Sequence, residues 1–177
     1  MNDDPRYPIG KFKYQGPPSE AERRQMITDI EQTPALLRSA IAGLSAQQLD
    51  TPYRDGGWTV REVIHHIPDS HINAYVRFKL ALTEQDPIIK PYAEDLWAKS
   101  VDNQITPVEI SLTLLDALHA RWVYLLSSLG SEHWKRSFRH PEFEKPVSLE
   151  RNLAIYSWHG KHHVAHITEL RKRMAWQ

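Results

Sequence analysis

Residues 148–173 read SLERNLAIYSWHGKHHVAHITELRKR, and their apolar side chains recur with the period of a helix that buries one face. Glu150 lies in the first turn and Arg171 to Arg173 lie in the last, where each sign of charge complements the helix dipole. The segment therefore predicts a long amphipathic helix that begins near Ser148. Its buried stripe is expected to contain Leu149, Leu153, Tyr156, Val164, Ile167, Leu170 and Met174.

Three further helices with the same apolar period are predicted earlier in the chain, at about 19–45, 60–84 and 107–129. Residues 1–18 contain four prolines and are predicted to be extended. The connections 85–105 and 131–147 are long, and no stretch alternates as a β-strand would. We therefore expect an all-α fold, a four-helix bundle with long crossover connections, in which residues 1–177 form a single domain.

Helix starts can be read from two capping patterns. Thr59 is followed three positions later by Glu62, the spacing at which each side chain satisfies the backbone of the other residue. The same reading predicts Thr106 as the cap of the next long helix, with Pro107 first and Glu109 third within it.

The composition argues against several classes of function. Lys plus Arg and Asp plus Glu both number 22, so the chain has no net positive charge with which to capture nucleic acid or an anionic membrane. It contains no cysteine, which excludes disulfides, thiolate metal ligands and cysteine nucleophiles. The N-terminus lacks the apolar core of a secretory signal, and no stretch approaches the ~20 apolar residues of a transmembrane helix. We expect a cytoplasmic protein.

The histidines form two groups, His65, His66 and His71 in the second predicted helix, and His159, His162, His163 and His166 in the last. Imidazole is the commonest protein ligand for zinc, nickel and iron(II). Because His159 and His163 are four residues apart, they project from one helix face about 6 Å apart along the axis and could bind one ion. His162 is a weaker substitute within this pair, and His166 is expected a turn away.

The third ligand must come from the other group. His66 is the preferred candidate because it flanks the apolar stripe and can point into the bundle without loss of packing. His65 turns further towards solvent, and His71 lies on the stripe, where a histidine with only a packing role is common. Gly160 occupies the position at which zinc peptidases with a His-Glu-x-x-His helix carry their glutamate base, so that chemistry is not predicted.

Three segments resemble the YfiT branch of the DinB-like superfamily: Tyr7 to Gly10; Thr51 to His66 with Asp69, Ser70 and His71; and Trp158 to Leu170. The resemblance covers nearly the whole chain. It implies a four-helix bundle that binds one divalent metal per subunit through three histidines, one from the second helix and two from the fourth. On this sequence those residues are His66, His159 and His163. It also implies a cytoplasmic homodimer.

The resemblance also suggests an activity, because members of this branch are described as metal-dependent hydrolases. Three imidazoles that hold Zn²⁺ or Ni²⁺ leave a position open, which is typical of a catalytic rather than a structural site. We therefore expect a small-molecule substrate and a metal-activated water nucleophile. Two alternatives remain: transfer of a low-molecular-weight thiol such as bacillithiol, as in relatives within the superfamily, and a metal-binding bundle without catalysis.

Two carboxylates are candidates for a role beside the metal. Asp69 follows His66 on its helix, and Glu169 follows the last histidine pair. Ligating histidines usually donate their second N–H to a carboxylate or a carbonyl, so either residue could orient a ring. We assign both as candidate catalytic groups.

Overall fold

A computed structural model of the chain describes residues 4–176. The helices are α1 (Glu20–Ile41), α2 (Ala46–Leu49), α3 (Val60–Thr83), α4 (Glu94–Ala98), α5 (Val101–Ile105), α6 (Val108–Ser127), α7 (Ser131–Trp134) and α8 (Leu149–Arg173). Two short strands, β1 (Ser137–Phe138) and β2 (Val147–Ser148), pair antiparallel immediately before α8. The predicted absence of β structure did not anticipate this small hairpin, nor the two isolated β-bridges that the described chain contains, Pro52 with Thr59 and Ile88 with Arg139.

The four long helices α1, α3, α6 and α8 form a bundle, as predicted. Helix α1 packs against α6 and α8, and α3 packs against the same two helices, so α1 and α3 lie diagonally opposite each other. Consequently the chain crosses the bundle between α1 and α3 and again between α6 and α8, whereas the connection 84–107 joins neighbouring helices. Within residues 4–176, no helix combines the length and hydropathy needed to cross a lipid bilayer.

Helix α3, which carries the first histidine group, begins where the sequence predicts. The Thr59 side chain accepts a hydrogen bond from the backbone N–H of Glu62, and the Glu62 carboxylate accepts one from the backbone N–H of Thr59. Pro68 lies inside α3 without ending it. The other predicted cap is wrong, because Thr106 ends α5 and α6 begins at Val108 without a side-chain cap.

The N-terminal segment differs in part from the extended chain predicted for residues 1–18. Two turns come first, in which the backbone N–H of Tyr7 donates to the Asp4 carbonyl and that of Gly10 donates to the Tyr7 carbonyl. The segment then lies against α8, where the Phe12 ring is 5.9 Å from that of Trp158. Residues 1–3 lie outside the described chain. The N-terminal segment is therefore part of the wall around the last histidine group.

The core consists of two apolar clusters with a layer of histidines between them. One cluster contains Ile30, Phe78, Trp122 and Leu153, and the other contains Leu37, Ile64, Leu115 and Ile167. On α3, α6 and α8 the residues between these positions include His66, His71, His119, His159 and His163. The bundle therefore places a polar layer at mid-height, and the neighbouring apolar side chains shield it from water.

Close approach of two helices requires a glycine in this layer. A Cβ atom added at Gly160 would lie 2.6 Å from Thr33 Oγ1 on α1, closer than such atoms approach in folded proteins. Gly160 is buried between the two helices. The absence of a glutamate base at this position therefore follows from helix packing, because a long acidic side chain has no space there.

Candidate metal centre

Helices α3 and α8 bring together the three predicted ligands, His66, His159 and His163. Each residue offers one ring nitrogen, and these atoms all lie within 4.8 Å of one another. His66 Nε2 and His159 Nε2 are 3.4 Å apart. The ring centre of His163 is 4.8 Å from that of His66 and 4.5 Å from that of His159.

Burial keeps these three rings in the neutral form that a metal requires. The pKa of His66 falls to about 4 because the ring is removed from water. Burial also lowers the pKa of His159 and of His163 well below 6.5, and the neighbouring histidines lower it further. Each ring therefore has an unprotonated nitrogen near pH 7, and metal binding requires no proton to leave an imidazolium.

The spacing of His66 and His159 fits a divalent cation, and His163 offers a ring nitrogen within 4.8 Å of both. Two nitrogens bound at about 2.0–2.1 Å to a tetrahedral zinc ion are about 3.3–3.4 Å apart. The observed 3.4 Å between His66 Nε2 and His159 Nε2 matches that separation and is long for an N–H···N hydrogen bond. Three neutral imidazoles suit zinc, nickel and iron(II), and they leave a coordination position for an exogenous ligand.

Trp58 covers one side of the cluster. Its ring centre is 4.5 Å from that of His66, and its plane lies nearly parallel to that of His163 at 6.1 Å. The indole N–H donates to Asp95 Oδ1 on α4 at 3.0 Å. The loop before α3 and the connection after it therefore meet over the histidines through this one side chain.

Two hydroxyl groups lie beside the cluster. Ser70 Oγ is 3.5 Å from His159 Nε2 and also 3.5 Å from the Tyr156 hydroxyl. Burial raises the pKa of Tyr156, so its phenol is neutral near pH 7. These groups can donate hydrogen bonds to a ligand that approaches His159.

The two predicted catalytic carboxylates are in different surroundings. Asp69 is half-buried, and burial raises its pKa to about 6. Glu169 forms an ion pair with Lys172 at 2.6 Å and lines a surface cleft of about 1290 Å³ at the end of α8. Within residues 4–176 neither carboxylate is hydrogen-bonded to His66, His159 or His163.

A histidine takes the place that we predicted for a carboxylate. His71 Nε2 is 3.0 Å from His159 Nδ1, and His71 Nδ1 is 2.7 Å from His119 Nε2. His119 Nδ1 in turn is 2.6 Å from the Ile30 carbonyl oxygen. The contribution of His119 was missed, although its position on the buried stripe of α6 between Leu115 and Trp122 was a readable signal.

The remaining histidines of both groups have contacts outside the cluster. His162 stacks on Trp158 with ring centres 4.2 Å apart, and His166 stacks on Tyr53 at 4.0 Å. His65 Nδ1 is 2.7 Å from Ser111 Oγ on α6. His65 is buried rather than turned towards solvent, and the Tyr53 ring on which His166 stacks lines the surface cleft.

Comparison with known proteins identifies the family. The sequence profile of the DinB superfamily matches residues 29–167. The chain belongs to the DinB superfamily. A protein of Bacillus cereus strain B4264, described as a "putative metal-dependent hydrolase", is 53% identical over 174 residues, which cover 98% of this chain and 99% of the relative. A protein of Oceanobacillus iheyensis with the same description is 51% identical over 176 residues, or 99% of this chain and all of the relative.

A solved structure of a superfamily member is also similar over nearly its full length. YfiT from Bacillus subtilis, described as "a probable metal-dependent hydrolase with an unusual four-helix bundle topology", is 47% identical to this chain. It superimposes with a TM-score of 0.95, and the match covers 98% of this chain and 99% of YfiT. These findings confirm the predicted family and the predicted bundle.

Proposed function

We propose that this DinB-superfamily chain is a metal-dependent hydrolase whose divalent ion, zinc or nickel, is held by His66, His159 and His163, one ion per subunit. The observation that carries the proposal is the 3.4 Å separation of His66 Nε2 and His159 Nε2 beside a third neutral imidazole. The descriptions of the relatives support the same reading. A divalent ion held by these three residues would supply Lewis acidity, which lowers the pKa of water towards neutrality.

The side chains around the cluster have distinct roles in this proposal. Trp58 limits the access of bulk water by covering two of the rings. Ser70 and Tyr156 donate hydrogen bonds to the substrate or to the developing negative charge on it. Both hydroxyl groups are uncharged near pH 7, so neither competes with the histidines as an anionic ligand.

Asp69 is the candidate proton acceptor. A general base works best when its pKa lies near the working pH, and burial raises the pKa of Asp69 to about 6. It lies three residues after His66, on the next turn of α3. Glu169 was the other predicted candidate, but its ion pair with Lys172 makes Asp69 the stronger one.

The test is a hydrolase assay on untagged protein with defined metal content. Zinc- or nickel-loaded protein should hydrolyse simple esters or amides in thiol-free buffer, and metal-free protein should not. His163→Ala should lose metal binding by more than about 100-fold, because removal of a ligand costs more than removal of a group that merely orients one. His162→Ala is the matched control one residue away, and it should retain both binding and activity.

Three outcomes would contradict parts of this proposal. Turnover that requires an added low-molecular-weight thiol would show that the reaction is thiol transfer and not hydrolysis. Stoichiometric metal binding without turnover would indicate a metal-binding bundle that has no catalytic activity. Loss of metal from His162→Ala but not from His163→Ala would show that His162, and not His163, is the ligand. The predicted cytoplasmic location and small-molecule substrate stay predictions.

A further inference from the structure

A chain of hydrogen bonds crosses the bundle and ends at one predicted ligand. It runs from the Ile30 carbonyl on α1 to His119 on α6, to His71 on α3 and to His159 on α8, with heavy-atom separations of 2.6, 2.7 and 3.0 Å. Each of the four long helices thus contributes one group. His71 and His119 are 0% and 1% exposed, so water does not interrupt the chain.

The direction of this chain follows from its first group. The Ile30 carbonyl would normally accept from the backbone N–H of residue 34, but Pro34 lies inside α1 and has no N–H. A carbonyl oxygen can only accept. His119 Nδ1 must therefore carry the proton that it donates to Ile30, which satisfies a buried acceptor that the proline left without its helical partner.

Each neutral imidazole passes this constraint to the next ring, because one of its nitrogens is a donor and the other an acceptor. With the proton of His119 on Nδ1, its Nε2 accepts from His71 Nδ1. His71 Nε2 then accepts from His159 Nδ1, and the lone pair of His159 is left on Nε2. Burial lowers the pKa of His119 to about 4 and that of His71 well below 6.5, which supports neutral rings.

We propose that His71 and His119 are positioning residues that hold the proton of His159 on Nδ1 and direct its Nε2 lone pair to the metal centre. The role of this tautomer in metal binding rests on the proposed metal site. The tautomer itself follows from the hydrogen bonds alone. His159 Nε2 is the atom that faces His66 Nε2 at 3.4 Å, as a ligand atom would. His163 lacks such support, because within the described chain its buried Nδ1 has no hydrogen-bond partner.

The first test needs no metal and no substitution. Long-range ¹H–¹⁵N spectra of metal-free protein labelled at histidine report which ring nitrogen carries the proton. The expected result at pH 7.5 is a protonated Nδ1 and an unprotonated Nε2 in His159, His71 and His119. A proton on Nε2 of His159 or of His119 would overturn the proposal.

The second test compares two substitutions at the same position. His119→Gln retains an N–H for the Ile30 carbonyl and an oxygen for His71 Nδ1, so it should keep the His159 tautomer and the metal affinity. His119→Leu removes both groups. It should give mixed tautomers at His159 and lower the zinc affinity by about 10-fold, the lower end of the range for a lost orienting group.

His65→Leu is the control for a buried histidine outside the chain, since His65 is also 1% exposed and contacts Ser111 instead. It should lower stability but leave the His159 tautomer and the zinc affinity unchanged. Equal effects of His119→Leu and His65→Leu on affinity would overturn the positioning role. Failure of the wild-type chain to bind zinc would contradict the proposed metal site, while the spectra of metal-free protein still decide the hydrogen-bond chain.

Discussion

His159 differs from the other two proposed ligands in how its ring is held. His71 is hydrogen-bonded to its Nδ1, and Ser70 Oγ lies 3.5 Å from its Nε2. His66 is instead held by packing against Trp58. The i,i+4 spacing in the sequence could predict that His159 and His163 share a face, but not which ring would be oriented by a third helix.

Asp69 gives the most direct prediction about the proposed mechanism. Asp69→Asn removes the proton acceptor, so hydrolysis should fall by about 100-fold or more while metal affinity stays unchanged. In the wild-type enzyme, kcat/KM should rise with pH through about 6, because the carboxylate must be deprotonated to act. Initial rates from pH 5 to 8 on both proteins measure this.

Glu169→Gln is the matched substitution of the other candidate carboxylate. It removes an ion pair with Lys172 at the surface cleft and should change hydrolysis little. If Glu169→Gln loses the activity and Asp69→Asn keeps it, the two assignments must be exchanged.

The helices show what the sequence could and could not predict. Apolar period and the Thr59 cap predicted α3 within one residue at each end, because both signals are local. The start of α6 was also predicted within one residue, at 107 against Val108, but its cap was misassigned because Thr106 caps the end of α5, a helix too short to show an apolar period. Helix α4 was missed for the same reason, although the contact between Asp95 and Trp58 places it over the metal centre.

The packing of α1 against α8 makes a prediction at Gly160. Alanine is the better helix former by about 1 kcal/mol, so Gly160→Ala on an exposed helix would stabilise the protein. Here the added methyl group would meet Thr33 Oγ1 at 2.6 Å, and we expect a net loss of about 1–3 kcal/mol in the free energy of unfolding. Urea denaturation of the metal-free protein measures the change.

Thr33→Ala provides the control for that clash. The double variant Gly160→Ala with Thr33→Ala should recover most of the loss, since the side chain that the methyl group meets is gone. If the two changes are additive, the contact between α1 and α8 does not explain the requirement for glycine.

The histidine layer also determines how the whole molecule responds to acid. The pKa is lowered by burial to about 4 in His66, His119, His162 and His166. In the unfolded chain these groups titrate near 6.5, so between pH 6.5 and 4 the unfolded chain binds more protons than the folded one. Asp69, with a pKa raised to about 6, binds more protons in the folded chain than in the unfolded one. This single group offsets only part of the effect of the four histidines.

The free energy of unfolding of the metal-free protein should therefore be nearly constant above about pH 7 and should fall by more than about 1 kcal/mol per pH unit below pH 6. Urea unfolding curves at pH 8, 7, 6 and 5 measure this dependence. Constant stability down to pH 5 would show that the buried histidines take up protons without unfolding the chain.

The assembly of the molecule remains a prediction from the family resemblance. Several large apolar side chains on α4, α5 and α6 are exposed, among them Leu96, Val101, Ile105 and Ile110. A homodimer of the 20.6 kDa chain should give about twice that mass by light scattering. A mass of one chain at micromolar concentration would contradict the predicted homodimer.

The three ligands could be predicted from the sequence more completely than the residues that surround them, for a physical reason. Two ligands lie one helical turn apart, and the third lies on another amphipathic helix that the bundle must bring to the same core. The diagonal placement of α1 and α3, which allows Ile30 and His119 to support the site, depends on long-range packing that no local pattern encodes. The cross-bundle hydrogen bonds therefore could not be predicted from the sequence, although the sequence contains both Pro34 and His119.

The central claim is that three histidines from two helices hold one divalent ion with a coordination position left open. Anomalous diffraction from crystals of the zinc-loaded protein tests it most directly. The account predicts one zinc per chain, about 2.1 Å from a ring nitrogen of each of His66, His159 and His163, and no fourth protein ligand. Zinc bound elsewhere, through His162 in place of His163, or closed off by a fourth side chain would contradict it.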